Sequence, residues 1–232
     1  MNNINSISIG SEAIVNSNTE DLSLSKRVKH SKIISGLEMN WWHFKIRITL
    51  ARIIIKSYSN PKDLLLAFKY LVQLRKKFLG NYKLRKMVVV NGKYYMGLYT
   101  PGWNDLNYER FITSELNYFK PIKKEVLRFN HVHLAITNKC ALQCDHCYAW
   151  DILNQKDILN QRDLSNIIEK LQNMGTGQIH LTGGEPLLKV DILTNLLKQS
   201  KRTSNFWINT SGFKLTMVNA KTLKESGLTG VF

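Results

Sequence analysis

All three cysteines of this chain lie within one short segment, Cys140-Ala-Leu-Gln-Cys144-Asp-His-Cys147. Spacings of four and three residues let a compact loop bring three thiolates to one metal centre, and thiolates are ligands for iron–sulfur clusters or for zinc. A structural zinc site uses four protein ligands, and His146 is a poor fourth ligand because the side chains of adjacent residues diverge. Three ligands leave one position open for a substrate or cofactor, which favours a cluster iron with an open site and keeps zinc as the alternative.

A second candidate segment is Leu181-Thr182-Gly183-Gly184-Glu185-Pro186. Two glycines at the end of a strand remove the Cβ atoms and let the backbone approach a ligand closely. A Gly-Gly turn before a helix is also common without any ligand. The segment by itself therefore leaves a binding role and a plain turn open.

Both segments follow predicted strands. Short strands are predicted at 132–137, 178–182 and 205–209, with the start of a fourth at 230–232. Helices are predicted between them, at 164–174 with Asp163 as the cap, at 188–197, and at 215–226 with Gly227 after its end. Strict alternation of strands and helices predicts a parallel sheet, whose carboxyl edge is where such folds bind ligands.

The cysteine pattern CxxxCxxC after the first strand, with Gly-Gly-Glu-Pro after the second, resembles the radical S-adenosylmethionine (SAM) superfamily over residues 130–232. The resemblance implies that Cys140, Cys144 and Cys147 hold three irons of a 4Fe–4S cluster, while the amino and carboxylate groups of SAM chelate the fourth. It implies that the segment Gly183–Glu185 contacts the methionine amino group, largely through backbone acceptors. The residue before the last cysteine is usually aromatic in the family, and here it is His146.

One further residue comes from the resemblance. Asn209 ends the third predicted strand and is expected to face the cofactor, with a turn-forming Asn as the alternative. His133 and His180 lie within predicted strands and are expected to line the core or the barrel. Tyr148 and Trp150 follow the cysteines and are expected either to wall the site or to pack in the core.

The resemblance also implies a reaction. An electron from an external low-potential donor passes through the cluster to SAM, giving methionine and a 5′-deoxyadenosyl radical that abstracts a substrate hydrogen. The basic N-terminal region is faintly similar to the peptide- and sulfatase-maturing (SPASM-containing) branch, which suggests a peptide or protein substrate. The alternative is a zinc-holding or RNA-binding module without catalysis.

The expected fold class is α/β, a partial (β/α)6 radical SAM barrel truncated after about three strand–helix units. Six units need roughly 190 residues, whereas 101 follow His131. Residues 131–232 are thus expected to be the N-terminal half of a radical SAM domain. We expect this chain alone to bind a cluster poorly, to turn over no substrate and to expose an open sheet edge.

The region before the predicted domain is expected to form two parts. Residues 1–25 are rich in Asn and Ser and are predicted to be a mobile polar tail. Residues 26–130 are predicted to be a basic accessory region of helices followed by a hairpin, whose turn is Asn91-Gly92. One of those helices has Asn60 as its cap, Pro61 at its first position and Gly80 beyond its end.

Charge is distributed unevenly along the chain. The first 131 residues carry 22 Lys and Arg against 9 Asp and Glu, so they hold +13 of the net charge of +16. An RNA or a membrane surface is a candidate partner for this region, and a solvated helical face is the plain alternative. No apolar run reaches the roughly 18 residues of a spanning helix, and without a secretory leader the expected location is the cytoplasm.

A tandem repeat follows the cysteines, with DILNQK at 151–156 and DILNQR at 157–162. A period of six residues is too short for a solenoid unit. It rotates a helix by roughly 240°, so the two copies would not share one buried face. The repeat is therefore expected to be a tolerated duplication in an exposed loop.

Overall fold

The structure, a computed structural model, describes residues 31–90, 92–97, 99–122 and 129–232. Its strands and helices are, in chain order, β1 Ser31–Ser35, α1 Leu37–Ser57, α2 Pro61–Leu79, β2 Lys86–Val90, β3 Lys93–Tyr95, α3 Leu106–Phe119, β4 His131–Ala135, α4 Gln161–Asn173, β5 Gln178–Thr182, α5 Val190–Gln199, β6 Asn205–Ile208, α6 Met217–Ser226 and β7 Gly230–Val231. Short 3₁₀ helices occupy Trp150–Ile152 and Pro186–Lys189. The predicted tail at 1–25 and Asn91 of the predicted hairpin turn lie outside the described residues.

The predicted parallel sheet is present. Its strands lie in the order β4-β5-β6-β7, and each pairs with the next in parallel register, for example His133 beside His180 and His180 beside Trp207. The sheet is open, with three complete strand–helix units and a fourth strand. The α/β class and the partial barrel predicted from the sequence are confirmed.

The two faces of this sheet differ in chemistry because successive side chains of a strand point to opposite sides. One face packs against the helices in a core of buried aliphatic side chains, which includes Leu134, Ile179, Leu181, Ile208, Leu164, Ile168, Leu193, Leu196 and Leu223. The other face carries a row of rings from His133, His180 and Trp207, with His131 beside them. The apolar core thus lies on one side of the strands and a polar, aromatic surface on the other.

The cap predicted for the first helix of this domain was wrong. Asn160, not Asp163, is the N-cap of α4, and its side chain accepts bonds from the backbone N–H groups of Arg162 and Asp163. Asp163 lies at the third helical position and accepts the N–H of Asn160 in return. The two residues form a capping box, in which each side chain accepts the backbone N–H of the other residue. Both residue types are common N-caps, and the one that comes first in the chain is the N-cap here.

The accessory region contains a three-stranded antiparallel sheet in the order β1-β2-β3. The predicted hairpin is formed by β2 and β3. Tyr94 of β3 also forms an isolated antiparallel bridge with Trp103. Strand β1 falls where the sequence predicted helix. It alternates between Ile33, which is exposed, and Ile34, which is buried, but five residues before a helix of 21 residues are too few for that period to be recognised.

The helices of the accessory region enclose a second core. Helix α2 has the predicted ends, with Asn60 accepting the N–H of Lys62 and Gly80 after the last turn. Helix α3, which was not predicted, is attached to α1 by Tyr58, whose hydroxyl donates to the carbonyl oxygens of Leu116 and Lys120. Burial raises the pKa of Tyr58 to about 12, so the hydroxyl keeps its proton.

The accessory region contacts the parallel sheet at the amino end of β6 and on the face that carries the rings. Asn107 on α3 donates to the side chain of Asn205 at 3.2 Å, and Arg110 donates to the carbonyl of Thr203. Tyr99 lies against the ring of His180, with the centroids 5.7 Å apart. The carboxyl ends of the strands, where the cysteines begin, therefore lie away from the α3 contact.

None of the helices in the described ranges combines the length and the apolar character needed to cross a bilayer.

Candidate cofactor site

The loop that follows β4 carries all three cysteines. Their thiols are free, with Cys140 and Cys147 half-buried and Cys144 exposed. The N–H of Cys147 donates to the carbonyl of Cys144 at 3.0 Å, which turns the end of the loop. Three soft thiolate donors fit an iron–sulfur cluster in type and number.

The side chains of this loop are not gathered into a closed metal site. Across the part of the chain that the structure describes, no three His, Cys, Asp or Glu side chains converge as ligands. His146 is exposed and completes no four-ligand set. The donor set therefore fits a cluster by its chemistry.

The Gly-Gly segment after β5 lies directly against the start of the cysteine loop. The N–H of Gly184 donates to the carbonyl of Thr137 and the N–H of Glu185 to that of Lys139, each at 2.8 Å. A Cβ on Gly183 would lie 2.2 Å from the Thr137 oxygen, and one on Gly184 would lie 2.3 Å from the Lys139 oxygen. The glycines thus permit a close backbone contact with the cysteine loop itself, a partner that the sequence did not identify.

Glu185 is buried and its carboxylate is fully engaged by the protein. Oε1 accepts from the N–H of Leu187 at 2.9 Å and from the hydroxyl of Thr210 at 2.6 Å. Oε2 accepts from the N–H and the hydroxyl of Ser211, at 2.9 and 2.6 Å. The side chain therefore joins the loop after β5 to the loop after β6. Only the backbone of Glu185 is left to contact an external ligand.

Asn209 lies at the end of β6 and joins the two strand histidines. Its side chain bonds to Nδ1 of His180 at 3.1 Å and to Nδ1 of His133 at 3.2 Å. Gln178 bonds the other ring nitrogen of His180 at 2.8 Å. Asn209 is thus part of the polar face of the sheet, next to the carboxyl edge.

His180 is held in its neutral form. Burial lowers its pKa most, the bond from Asn209 opposes this, and the nearby rings of His133 and His131 lower it further, to about 4. Burial, followed by the proximity of His133, also lowers the pKa of His131. The rings of His180 and His131 are therefore uncharged at neutral pH.

Tyr148 and Trp150 do not pack in the core. Tyr148 is exposed, and its hydroxyl donates to the carbonyl of Gly183 at 3.3 Å. Trp150 is also exposed. The end of the cysteine loop thus contacts the Gly-Gly segment, as the beginning of the loop does.

Sequence reasoning missed the residues that hold these loops together. Thr210 and Ser211, which bind Glu185, lie in a loop with no recognisable pattern. Asn154 and Asp157, which bind the start of the cysteine loop, belong to the tandem repeat. Asn and Asp are residues that commonly bond to backbone in loops, so their recurrence beside the cysteines was an available indication.

Comparison with known proteins finds one matching family model, in the second half of the chain. Residues 134–232 match the family model described as the Radical SAM superfamily. No solved structure matches the chain significantly.

Curated relatives match the same half of the chain. A GTP 3′,8-cyclase of Chlorobaculum tepidum is 35% identical over 104 residues, which are 44% of this chain and 31% of that protein. The GTP 3′,8-cyclase of Lactiplantibacillus plantarum is 34% identical over 104 residues, 43% of this chain and 31% of its own length. That of Marinobacter nauticus is 32% identical over 103 residues, with the same two shares. The chain thus spans about a third of the length of the curated relatives it matches.

Proposed function

From the match of residues 134–232 to the Radical SAM superfamily model, we propose that this segment belongs to that superfamily and binds a 4Fe–4S cluster and SAM for radical chemistry. Cys140, Cys144 and Cys147 are the proposed cluster ligands. The proposed SAM contacts are the segment Gly183–Glu185 and Asn209. The observation that carries the proposal is the backbone contact between the loop with three free thiols and the Gly-Gly segment.

A 4Fe–4S cluster and SAM held by these residues would supply the radical chemistry that removes a hydrogen from the substrate. The cluster requires an external low-potential electron donor. The side chains of the protein hold the loops of the site in place. Glu185 holds the loops after β5 and β6 together, and Asn209 keeps the rings of His180 and His133 in place beside them.

Cluster binding is tested by anaerobic reconstitution of the full chain with iron and sulfide. The control replaces all three cysteines by alanine. Since the chain alone is expected to bind a cluster poorly, we expect iron and sulfide in equal amounts but at less than full occupancy. We also expect a paramagnetic signal after reduction, and loss of both in the control. One zinc per chain without sulfide would overturn the proposal in favour of the zinc module.

The proposed substrate is a peptide or protein. The support is the accessory region: described residues 31–122 lie outside the matched segment, and the first 131 residues carry a net charge of +13. Such a surface attracts an acidic chain. The relatives are named for GTP, but the match covers only about a third of each relative.

An assay of 5′-deoxyadenosine formation distinguishes a nucleotide substrate from a peptide substrate. Formation of 5′-deoxyadenosine is measured with the reconstituted chain and a reductant, with and without GTP. We expect the rate to be unchanged by GTP. A saturable increase with GTP concentration would replace the peptide proposal by a nucleotide substrate.

For the accessory region we propose an anionic membrane surface as partner, on an exposed stripe along α1. Leu37, Trp41, Phe44, Ile48 and Ile55 are all exposed and recur at intervals of three, four and seven residues, which places them on one line of a helix.

Basic residues flank this stripe. Arg47 and Arg52 are exposed and lie on opposite sides of it by helical geometry. The ammonium of Lys45 lies over the rings of Trp41 and Trp42, 5.2 and 4.6 Å from their centroids. A Trp-containing apolar stripe between basic residues is typical of helices that lie in the membrane interface.

The partner is tested by cosedimentation with vesicles of phosphatidylcholine, with and without phosphatidylglycerol. We expect binding only to the anionic vesicles, and a loss of binding of about tenfold in the double variant Trp41→Ser, Phe44→Ser. Val218→Ser removes an apolar side chain on α6 that is more exposed than Trp41 and Phe44, and serves as the control. Salt-dependent binding to single-stranded RNA that the double variant keeps, without vesicle binding, would favour RNA instead.

A further inference from the structure

The tandem repeat after the cysteines contacts the start of the cysteine loop. Its first copy begins inside the 3₁₀ turn Trp150–Ile152, and its second copy runs into α4 at Gln161. Within the first copy the chain turns back to the residues that follow β4, where the N–H of Asn154 donates to the carbonyl of Asn138 at 2.8 Å. The repeat therefore lies beside the first residues of the cysteine loop.

Asn154, from the first copy, bonds to three successive residues of that loop. Besides the bond to Asn138, its side-chain oxygen accepts the N–H of Cys140 at 3.0 Å. Its backbone carbonyl accepts from Nζ of Lys139 at 2.7 Å. Asn154 has a φ of +62°, a left-handed conformation that Asn adopts more readily than most residues.

Asp157, from the second copy, bonds to the residues just before. Its carboxylate accepts from the hydroxyl of Thr137 at 2.9 Å and from the N–H of Asn138 at 2.6 Å. Nζ of Lys189 lies 3.6 Å away. Burial raises the pKa of Asp157, but the bonds from Asn138 and Thr137 and the charge of Lys189 outweigh it, so the pKa is lowered overall and the group is ionised at neutral pH.

The equivalent residues of the other copy do different things. Asp151, the counterpart of Asp157, is exposed, and among the described residues its carboxylate has no hydrogen bond or ion pair. Asn160, the counterpart of Asn154, caps α4. One Asp-Ile-Leu-Asn unit would supply either the loop contact of Asn154 or the cap of Asn160, whereas two units supply both.

We propose that Asn154 and Asp157 are positioning residues that hold the strip from Thr137 to Cys140 in place for the cluster. The strip is bound from two sides, because the carbonyls of Thr137 and Lys139 also accept the N–H groups of Gly184 and Glu185. Cys140 is thereby presented at a fixed point beside the Gly-Gly segment. That the strip serves a cluster rests on the proposed function, whereas the contacts themselves do not.

The first readout needs no cofactor. Amide hydrogen exchange of Asn138 and Cys140 is measured in the metal-free full chain for the wild type and for Asp157→Ala, Asn154→Ala and Asp151→Ala. Loss of a bond to a charged acceptor is expected to raise the exchange rate of Asn138 about tenfold in Asp157→Ala. Asn154→Ala should do the same for Cys140, and Asp151→Ala should leave both rates unchanged.

The second readout addresses the cluster. After reconstitution, the midpoint potential and the spectrum of the reduced cluster are compared per folded molecule, with urea unfolding as the measure of folding. Asp157→Ala is expected to shift both and Asp157→Asn, which keeps an acceptor, to restore them in part. Asp151→Ala is expected to match the wild type.

The outcomes separate the two proposals. Faster exchange in Asp157→Ala, with a wild type that binds no iron, would support the positioning contacts and overturn the proposed function. A wild-type cluster that keeps its spectrum and potential in Asp157→Ala, with unchanged exchange of Asn138, would overturn the positioning role. Iron lost only in proportion to unfolded protein would overturn it as well.

Discussion

Gly184→Ala tests the contact between the Gly-Gly segment and the cysteine loop most directly. The new Cβ would lie 2.3 Å from the carbonyl oxygen of Lys139 and 3.0 Å from that of Asn138. Both atoms belong to backbone, so no side chain can rotate away, and the two segments have to separate. Gly184 is not among the glycines with positive φ, so the penalty is steric.

The expected magnitude follows from what the separation disrupts. Overpacking a tight site costs about 1–3 kcal/mol. Moving the segment also stretches the bonds from Gly184 and Glu185 to Thr137 and Lys139, each worth about 1 kcal/mol. We therefore expect Gly184→Ala to lower the free energy of unfolding by about 2–5 kcal/mol.

Two other glycines separate the causes. Gly212 has a φ of +84° with open space around it, so Gly212→Ala meets only backbone strain and is expected to lose about 1 kcal/mol. Gly183 has a φ of +139°, and a Cβ added to it would lie 2.2 Å from the carbonyl oxygen of Thr137. Gly183→Ala is therefore expected to lose the most free energy of unfolding.

The assay is urea unfolding of the reduced, metal-free chain, followed by tryptophan fluorescence and circular dichroism. The expected order of stability is wild type, Gly212→Ala, Gly184→Ala and then Gly183→Ala. A Gly184→Ala variant within about 0.5 kcal/mol of the wild type, the range of an ordinary surface substitution, would refute the close contact.

Three further predictions concern other contacts. The pKa of His180 is about 4 in the folded chain against an ordinary value of 6.5, so the unfolded chain binds more protons between these two pH values. The free energy of unfolding, measured in urea, should therefore be highest above pH 6.5 and fall by on the order of 3 kcal/mol toward pH 4. His180→Gln should make this pH dependence flatter. Glu185→Ala leaves the donors of Thr210–Ser211 without their acceptor and should lower the free energy of unfolding by about 2–4 kcal/mol, whereas equal stability would contradict the loop contact. Ile34→Ala should lose about 2–5 kcal/mol because the side chain is buried, and Ile33→Ala on the exposed face of the same strand should stay within about 0.5 kcal/mol, so equal losses would contradict the register of β1.

Much of the parallel sheet was predictable because its determinants are local. Strand β5 has the predicted bounds, and β6 and β7 differ by one residue. Gly227 ends α6 with a φ of +113°, a conformation that glycine adopts without strain. These features depend on residues within a few positions of one another, so a sequence pattern records them.

The elements that were missed depend on distant partners. Strand β1 is a strand because it pairs with β2, more than 50 residues along the chain. Helix α3 has an apolar face that pairs with α1 through Tyr58, 58 residues from Leu116. Its N-cap residue, Asp105, makes no side-chain cap bond and instead pairs with Lys93, so the usual start of a helix was absent.

The sequence by itself determined the donor set and its order: three thiols on the loop after one strand, and two glycines after the next. Only the tertiary structure decided which atoms meet. The glycines lie against Thr137 and Lys139, Glu185 binds a serine 26 residues away, and Asp157 reaches back 19 residues to Asn138. The physical reason is that residue type and spacing set what a group can bond, whereas the sheet register and loop paths set which bonds form.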